Sequence, residues 1–367
     1  MWPYWLMFLF PAVMALFEHR RHEMSVKSFE RPQNTMPWQW WLVFAALVLL
    51  VGLRYEVGGD WYAYLARVDR VPEHLSDIQW WFVDPGYHFL ERLSVKLGWG
   101  IFGVNLIGGG LFSAGVVVFC RHLPRPWLAL AVAVPYLIIV LGMGYSRQGI
   151  ALGLAMIGIV ALGQGHVGKF LFWVLIGATF HKSAVVLLPL AALVAMRRGF
   201  TNLLWLAAIT LVTLGAYIIL FHDAAGWLVW SYLEDDKYHS EGALIRLTMT
   251  ALPAAFLLWN RKRFGFNPAQ ERLWLWCSVA AIGLVCLYFL NPAFATPLDR
   301  VGLYLIPLQL LVFSYLPEIL GARHGKNTVW VVAVLTYYAL VEFVWLHFSN
   351  SAASWIPYKF YPFEGLF

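Results

Sequence analysis

Arg54, Asp60, Arg147, His181, Arg246 and Arg300 combine residue types and settings that suit chemistry on a phosphorylated substrate. Arg54 and Asp60 bracket Tyr55-Glu56-Val57-Gly58-Gly59, and Arg147 follows Gly142-Met143-Gly144-Tyr145-Ser146. His181 and Lys182 interrupt the apolar stretch 170–196, Arg246 opens one apolar run, and Asp299-Arg300 open another. A guanidinium keeps its charge at depth, and its planar fork matches two phosphate oxygens. Several such groups facing one cavity suit a pyrophosphate and would stabilise it as a leaving group without a metal. A carboxylate or imidazole beside them has the reach to take a proton from an attacking hydroxyl. The plainer reading is that Arg and Lys at helix ends snorkel to lipid headgroups. It serves Arg67, Arg70, Arg92, Lys96, Lys237 and Lys359 well. It fits the Arg set poorly, because an ionisable group within a membrane costs a few kcal/mol unless paired or used. A lone His on an apolar face is usually a core residue, but His181 coincides with a helix break. For Glu342 and His347, internal hydrogen bonding is the simpler account.

The elements that carry these residues must be membrane helices. Hydrophobic residues make up 61% of the 367, and only 13% are charged; soluble chains run nearer half apolar and a quarter charged. Mean hydropathy is +0.66. Runs of spanning length fall at 1–17, 37–53, 99–120, 126–145, 148–165, 203–221, 273–290, 301–316 and 328–348, with a shorter one at 244–259. The stretch 170–196 reads as two half-length helices meeting at His181. With both termini outside and about twelve crossings, the inside segments hold more than half of the 26 Lys and Arg residues, including Arg261-Lys262-Arg263, as the positive-inside bias requires. The expected fold is therefore all-α and polytopic, with 11–12 transmembrane or half-membrane helices in one integral membrane domain spanning residues 1–367. Three outside segments complete it: the loop 54–98, the loop 222–243 and the aromatic tail 349–367, which is expected at headgroup depth. Short surface helices are expected at Asp60–Asp69 and Pro85–Leu97. The second sets Phe89, Leu90, Leu93 and Leu97 opposite Glu91, Arg92 and Lys96, the pattern of an interfacial helix. On this topology all six candidate residues lie at the outer ends of spans, provided that 170–196 turns back at His181.

Several classes drop out. The formal charge of +6 is spent on orientation, so no nucleic-acid partner is expected. Cys120, Cys277 and Cys286 show no metal-binding or disulfide spacing. No zinc-protease, P-loop or nucleophile-elbow motif occurs, so neither a metal nor another cofactor is expected.

The motif Arg54-Tyr55-Glu56-Val57-Gly58-Gly59-Asp60-Trp61-Tyr62-Ala63-Tyr64 resembles the opening element of the EpsG family of Wzy-like exopolysaccharide polymerases. Asp84-Pro85-Gly86-Tyr87, Ser146-Arg147-Gln148-Gly149-Ile150-Ala151, Phe180-His181-Lys182-Ser183-Ala184, Asp299-Arg300 through Tyr304, and Tyr358 to Phe363 resemble its later elements in order. Asp84 stands where Glu is more usual, and Arg246 has no clear motif around it. The resemblance implies a distant relative of the GT-C glycosyltransferases that joins oligosaccharide repeats on undecaprenyl pyrophosphate, at the periplasmic face of a bacterial inner membrane. It implies Asp60 or His181 as the base, with Arg54, Arg147, Arg246, Arg300, Tyr64 and Tyr304 binding pyrophosphate or sugar. Trp61, Tyr62, Trp80, Trp81 and Trp230 suit either sugar stacking or interfacial anchoring. Membrane lipids, a chain-length regulator and a flippase are the partners it suggests. Two other readings stay open: an O-antigen-ligase-like transferase using the same carrier, and a transporter or flippase, which would place its site near the midplane. A purely structural protein leaves the outer Arg set unexplained.

Overall fold

The computed structural model describes residues 1–18, 36–71, 84–195, 207, 211, 242–321 and 326–363. These residues form fourteen α-helices: α1 Trp2–Phe17, α2 Trp38–Gly52, α3 Trp61–Asp69, α4 Pro85–Lys96, α5 Gly100–Arg121, α6 Pro126–Ala133, α7 Ser146–Gly163, α8 Val167–Phe180, α9 Leu188–Ala195, α10 Ala243–Asn260, α11 Pro268–Leu290, α12 Ala295–Gly302, α13 Ile306–Leu320 and α14 Thr328–Phe348. Six stretches are long and apolar enough to cross a membrane: α5, α7, Ala243–Arg263, α11, the continuous Ala295–Leu320, and α14. Five shorter apolar helical stretches accompany them. The expectation of an all-α polytopic membrane protein holds. The expected run 203–221 and nearly all of the segment 222–243 lie outside the described residues, apart from isolated positions.

Hydrogen bonds establish which helix ends meet. At one end, Tyr4 Oη donates to the Trp355 carbonyl at 2.6 Å. Arg54, just past α2, donates to Ser146 at the start of α7, and Ser183, just past α8, meets Tyr304 between α12 and α13. At the opposite end, Arg125 before α6 donates to Glu318 near the end of α13. There the Glu18 carboxylate, after α1, accepts from the Trp127 amide, and Asn267 donates to Gly163 at the end of α7. Helices α1, α7 and α13 thus run from the first end to the second, and α2 and α8 run back. The stretch 170–196 breaks at His181, whose backbone is extended, and continues as a 3-10 turn over Lys182–Leu187. There α9 packs back against α8. The turn brings His181 to the end that holds Arg54 and Arg147.

Small residues let the central helices close up, since lipid offers no hydrophobic drive to pack them. A Cβ on Gly153 of α7 would lie 2.6 Å from Phe112 Cα of α5. Gly58 serves differently: its φ of +108° is readily open only to glycine, and an added Cβ would strike the Met143 carbonyl oxygen. Between α6 and α7 the backbone widens into a π-helix, Val134–Gly142. Pro135 lacks an N–H and cannot sustain the α ladder there.

One surface expectation is revised, and the tail gains internal contacts. Helix α4 exists over nearly the predicted span, but Glu91 is fully buried rather than facing out, while Phe89 is exposed. Burial of a carboxylate requires partners, and Arg67 Nε at 2.6 Å and His88 Nδ1 at 3.2 Å supply them. Arg67 is therefore an internal ion-pair partner. The tail is also built into the fold. Trp355 Nε1 donates to the Ile139 carbonyl in the π-helix at 2.9 Å, Tyr358 donates to Leu50, and the Tyr55 amide donates to Lys359. The side chain of Lys359 pairs with Glu56.

Candidate active site at one end of the bundle

The site is assembled from the loop after α2, the starts of α4, α7 and α10, the last turn of α12, and the break after α8. Arg54 sits deepest and is only 2% exposed. Its Nε donates to Val57 at 3.1 Å, Nη1 to the Val51 carbonyl, and Nη2 to Asn105 Oδ1 at 3.3 Å and Ser146 Oγ at 2.8 Å. Every guanidinium nitrogen is thereby committed to the protein. Arg54 ties the loop that carries Asp60 to α5 and α7. Removing it strands several buried acceptors, so Arg54→Ala is expected to cost on the order of 3 kcal/mol of stability. Thermal unfolding in detergent would register this as a midpoint several degrees lower, and an unchanged midpoint would rule the role out.

Asp60 immediately precedes α3, after the Gly58-Gly59 turn. Its carboxylate accepts from Tyr64 Oη at 3.5 Å. Burial pushes the Asp60 carboxyl above the ordinary range, while Arg300, then Arg147, then the Tyr64 hydroxyl pull it back. Tyr64 is buried, and burial likewise raises its hydroxyl. Its ring lies 5.7 Å from the Arg147 guanidinium.

Arg147 stands in the first turn of α7 with its side chain 30% exposed. Nη1 donates to Asp84 Oδ2 at 2.7 Å, and Nε reaches Tyr64 Oη at 3.4 Å. Asp84 is buried, adopts a left-handed conformation (φ 56°) before Pro85, and also accepts from the Lys182 amide at 3.3 Å. It links α4, α7 and the break after α8. Gly86 permits this approach, since a Cβ there would meet Thr179.

His181 lies where α8 ends. Its Nδ1 accepts from the Ser183 amide at 3.4 Å and sits 2.5 Å from Ser183 Oγ, which is 3.0 Å from the hydroxyl of buried Tyr304. An amide can only donate, so Nδ1 is an acceptor and a neutral ring carries its proton on Nε2. In this arrangement His181 offers a donor at Nε2 rather than a vacant basic nitrogen. Arg147, Arg300 and Lys182 are close enough to act on it electrostatically.

Arg246 and Arg300 differ in state. Arg246 makes a two-pronged pair with Asp299, Nε to Oδ1 at 2.7 Å and Nη2 to Oδ2 at 2.9 Å. Arg300 lies over the Tyr145 ring at 4.4 Å. Among the described residues its guanidinium has no hydrogen-bond or ion-pair partner. The backbone carbonyl of Arg300 accepts from Gln148 Nε2 at 2.8 Å, which anchors α12 to α7. With Arg147 held by Asp84 and Arg246 by Asp299, Arg300 is the one of these guanidinium groups without an ion-pair partner among the described residues.

Arg54, Asp60, Tyr64, Arg147, His181, Arg246, Arg300 and Tyr304 thus fall at one end of the bundle, but in different settings, while Trp80, Trp81 and Trp230 lie outside the described residues. Asp60, Tyr64 and Arg147 form a hydrogen-bonded group, with Arg300 and His181 near enough to interact with it electrostatically. Tyr304 supports His181 through Ser183, and Arg246 lies farther along α10 beside Asp299. Sequence reasoning named Asp84, Ser183 and Asp299 within motifs but gave them no role, and it did not single out Tyr145. Asp84 carried one signal, an acidic residue before Pro-Gly. No His, Cys, Asp and Glu cluster suited to a metal occurs among the described residues.

This architecture defines a multi-pass helical membrane protein with a polar, cationic group gathered at one end of its bundle. The EpsG family profile matches residues 38–360, and the chain belongs to the EpsG family. No curated protein and no solved structure matches it.

Proposed function

We propose that the chain is a polysaccharide polymerase, joining oligosaccharide repeats carried on undecaprenyl pyrophosphate at the periplasmic face of a bacterial inner membrane. The observation that carries this reading is the convergence of Asp60, Arg147, His181 and Arg300 from four separate parts of the chain, within a member of the EpsG family. In the reaction, Asp60 takes the proton from a hydroxyl of the acceptor sugar. That oxygen attacks the anomeric carbon of the donor from the face opposite the pyrophosphate. The bond from that carbon to the phosphate oxygen breaks, its electron pair leaves with the pyrophosphate, and the configuration inverts. Arg300 and Arg147 face the developing charge, which preorganised donors in a water-poor site stabilise strongly. His181 donates from Nε2 to a sugar or phosphate oxygen, and Tyr64 positions both Asp60 and Arg147.

Purified protein given only lipid-linked repeats tests the reading. A ladder of products is the expected result. Product formed only when a second kind of acceptor is added would make the chain a ligase. Movement of the lipid across vesicles without any new glycosidic bond would make it a transporter.

A further inference from the structure

A cavity of about 570 Å³ opens between α10 and α14 beside the site. Its walls are apolar, with Ile245 and Met249 on α10 and Leu340, Val344 and Phe348 on α14. Ile245 is 66% and Val344 53% exposed, so the cavity is open sideways to the surface that faces lipid. Its lining also includes Tyr145 and Arg246, and Arg300 stacks on that same tyrosine. One open groove thus combines a long apolar flank with an end at Tyr145, the ring on which Arg300 rests at the candidate reaction centre. A second lateral cavity of about 360 Å³, between α1, α2 and α6, is lined by apolar residues alone.

From this geometry we infer that the α10–α14 cavity seats the isoprenoid chain of the donor, with its pyrophosphate at Arg300. The inference rests on the proposed polymerase reading and extends it to a route of entry. The chemistry separates the two substrates. A donor reacts at the carbon bonded to pyrophosphate, so its phosphates and the head of its isoprenoid must lie at the reaction centre. An acceptor reacts at a sugar hydroxyl, separated from its own phosphates by the length of the repeat. A groove that ends at the reaction centre therefore fits the donor. The purely apolar α1–α2–α6 cavity offers nothing for a phosphate. Burial of apolar chain contributes about 0.8 kcal/mol per methylene, and the paired charge at one end fixes the direction in which the chain lies.

Undecaprenyl pyrophosphate carrying a diazirine on its isoprenoid chain tests the site directly. Irradiated with the detergent-solubilised full chain, it is expected to label α10 and α14, and labelling should fall about tenfold in the double variant Ile245→Trp/Val344→Trp. Val332→Trp, on α14 but away from the cavity, should label as wild type. Labelling centred on α1, α2 and α6, uniform labelling of the lipid-facing belt, or undiminished labelling of the double variant would overturn the assignment. Turnover separates this inference from the function it rests on. If wild-type protein builds polymer and the double variant does so at the same rate and donor KM, the cavity assignment fails and the polymerase reading stands. If the cavity labels as expected but wild-type protein forms no glycosidic bond, the isoprenoid seat stands and the polymerase reading falls.

Discussion

Arg300→Ala is expected to slow polymer formation by about 10²–10³-fold, the loss typical of removing one preorganised donor from a developing anion. The expectation follows from the state of the four site arginines. Arg54 is consumed by Val51, Val57, Asn105 and Ser146. Arg147 shares its charge with Asp84, and Arg246 with Asp299. Arg300 rests on the face of Tyr145, where a cation is held in place without being neutralised. Arg300→Lys should recover only part of the rate, because an ammonium keeps the charge but lacks the fork and the flat stacking surface. Stability provides the contrast. Arg300→Ala should leave the unfolding midpoint almost unmoved, whereas Arg147→Ala strips a buried carboxylate of its partner and should lower it. Initial rates on lipid-linked repeats at matched protein concentration decide the matter. A wild-type rate for Arg300→Ala would remove the pyrophosphate role.

Asp60→Asn is expected to be the more damaging change, with a loss of about 10²–10⁴-fold, the range for removing a positioned general base. The pH profile gives a signature that a structural role would not produce. Burial raises the Asp60 carboxyl above its ordinary range, and a base works only when deprotonated. The wild-type rate should therefore be full at high pH and fall as pH drops through that raised value, with an acid limb above the pH at which an unperturbed carboxylate titrates. Arg300 is the largest influence holding the value down. The residual activity of Arg300→Ala should accordingly show its acid limb at still higher pH. An acid limb unmoved in Arg300→Ala, or a profile for Asp60→Asn parallel to that of wild type, would assign the proton transfer elsewhere. His181 is the obvious other candidate, but its Nδ1 is already an acceptor for the Ser183 amide.

Much of the architecture was legible because lipid imposes simple rules. Apolar runs of spanning length and basic residues in the connections mark helices and their order. The break at Phe180-His181-Lys182-Ser183 was readable for the same reason, since two polar residues and a serine interrupt an apolar stretch. Glu91 was misjudged for a physical reason. Helical periodicity separates faces but does not say which face a neighbour covers. On α4 the covered face includes Glu91 because Arg67 and His88 lie opposite it. In the tail, Trp355 and Tyr358 look like headgroup anchors, yet each spends its polar atom on a carbonyl inside the bundle.

The amino-acid sequence alone determined the class of molecule, the helix order, the family elements and the gathering of Arg54, Asp60, Arg147, His181, Arg246 and Arg300 towards one end. These follow from local hydrophobicity, charge placement and motif order, which are properties of single segments. Only the tertiary structure decided what each of those residues does there. Pairing depends on contacts between segments far apart in the chain: Arg147 with Asp84 across 63 positions and Arg246 with Asp299 across 53. A guanidinium held by a carboxylate or by four backbone and side-chain acceptors is a different reagent from one resting on an aromatic face. That distinction, made by packing, leaves Arg300 on the face of Tyr145 with no ion-pair partner among the described residues.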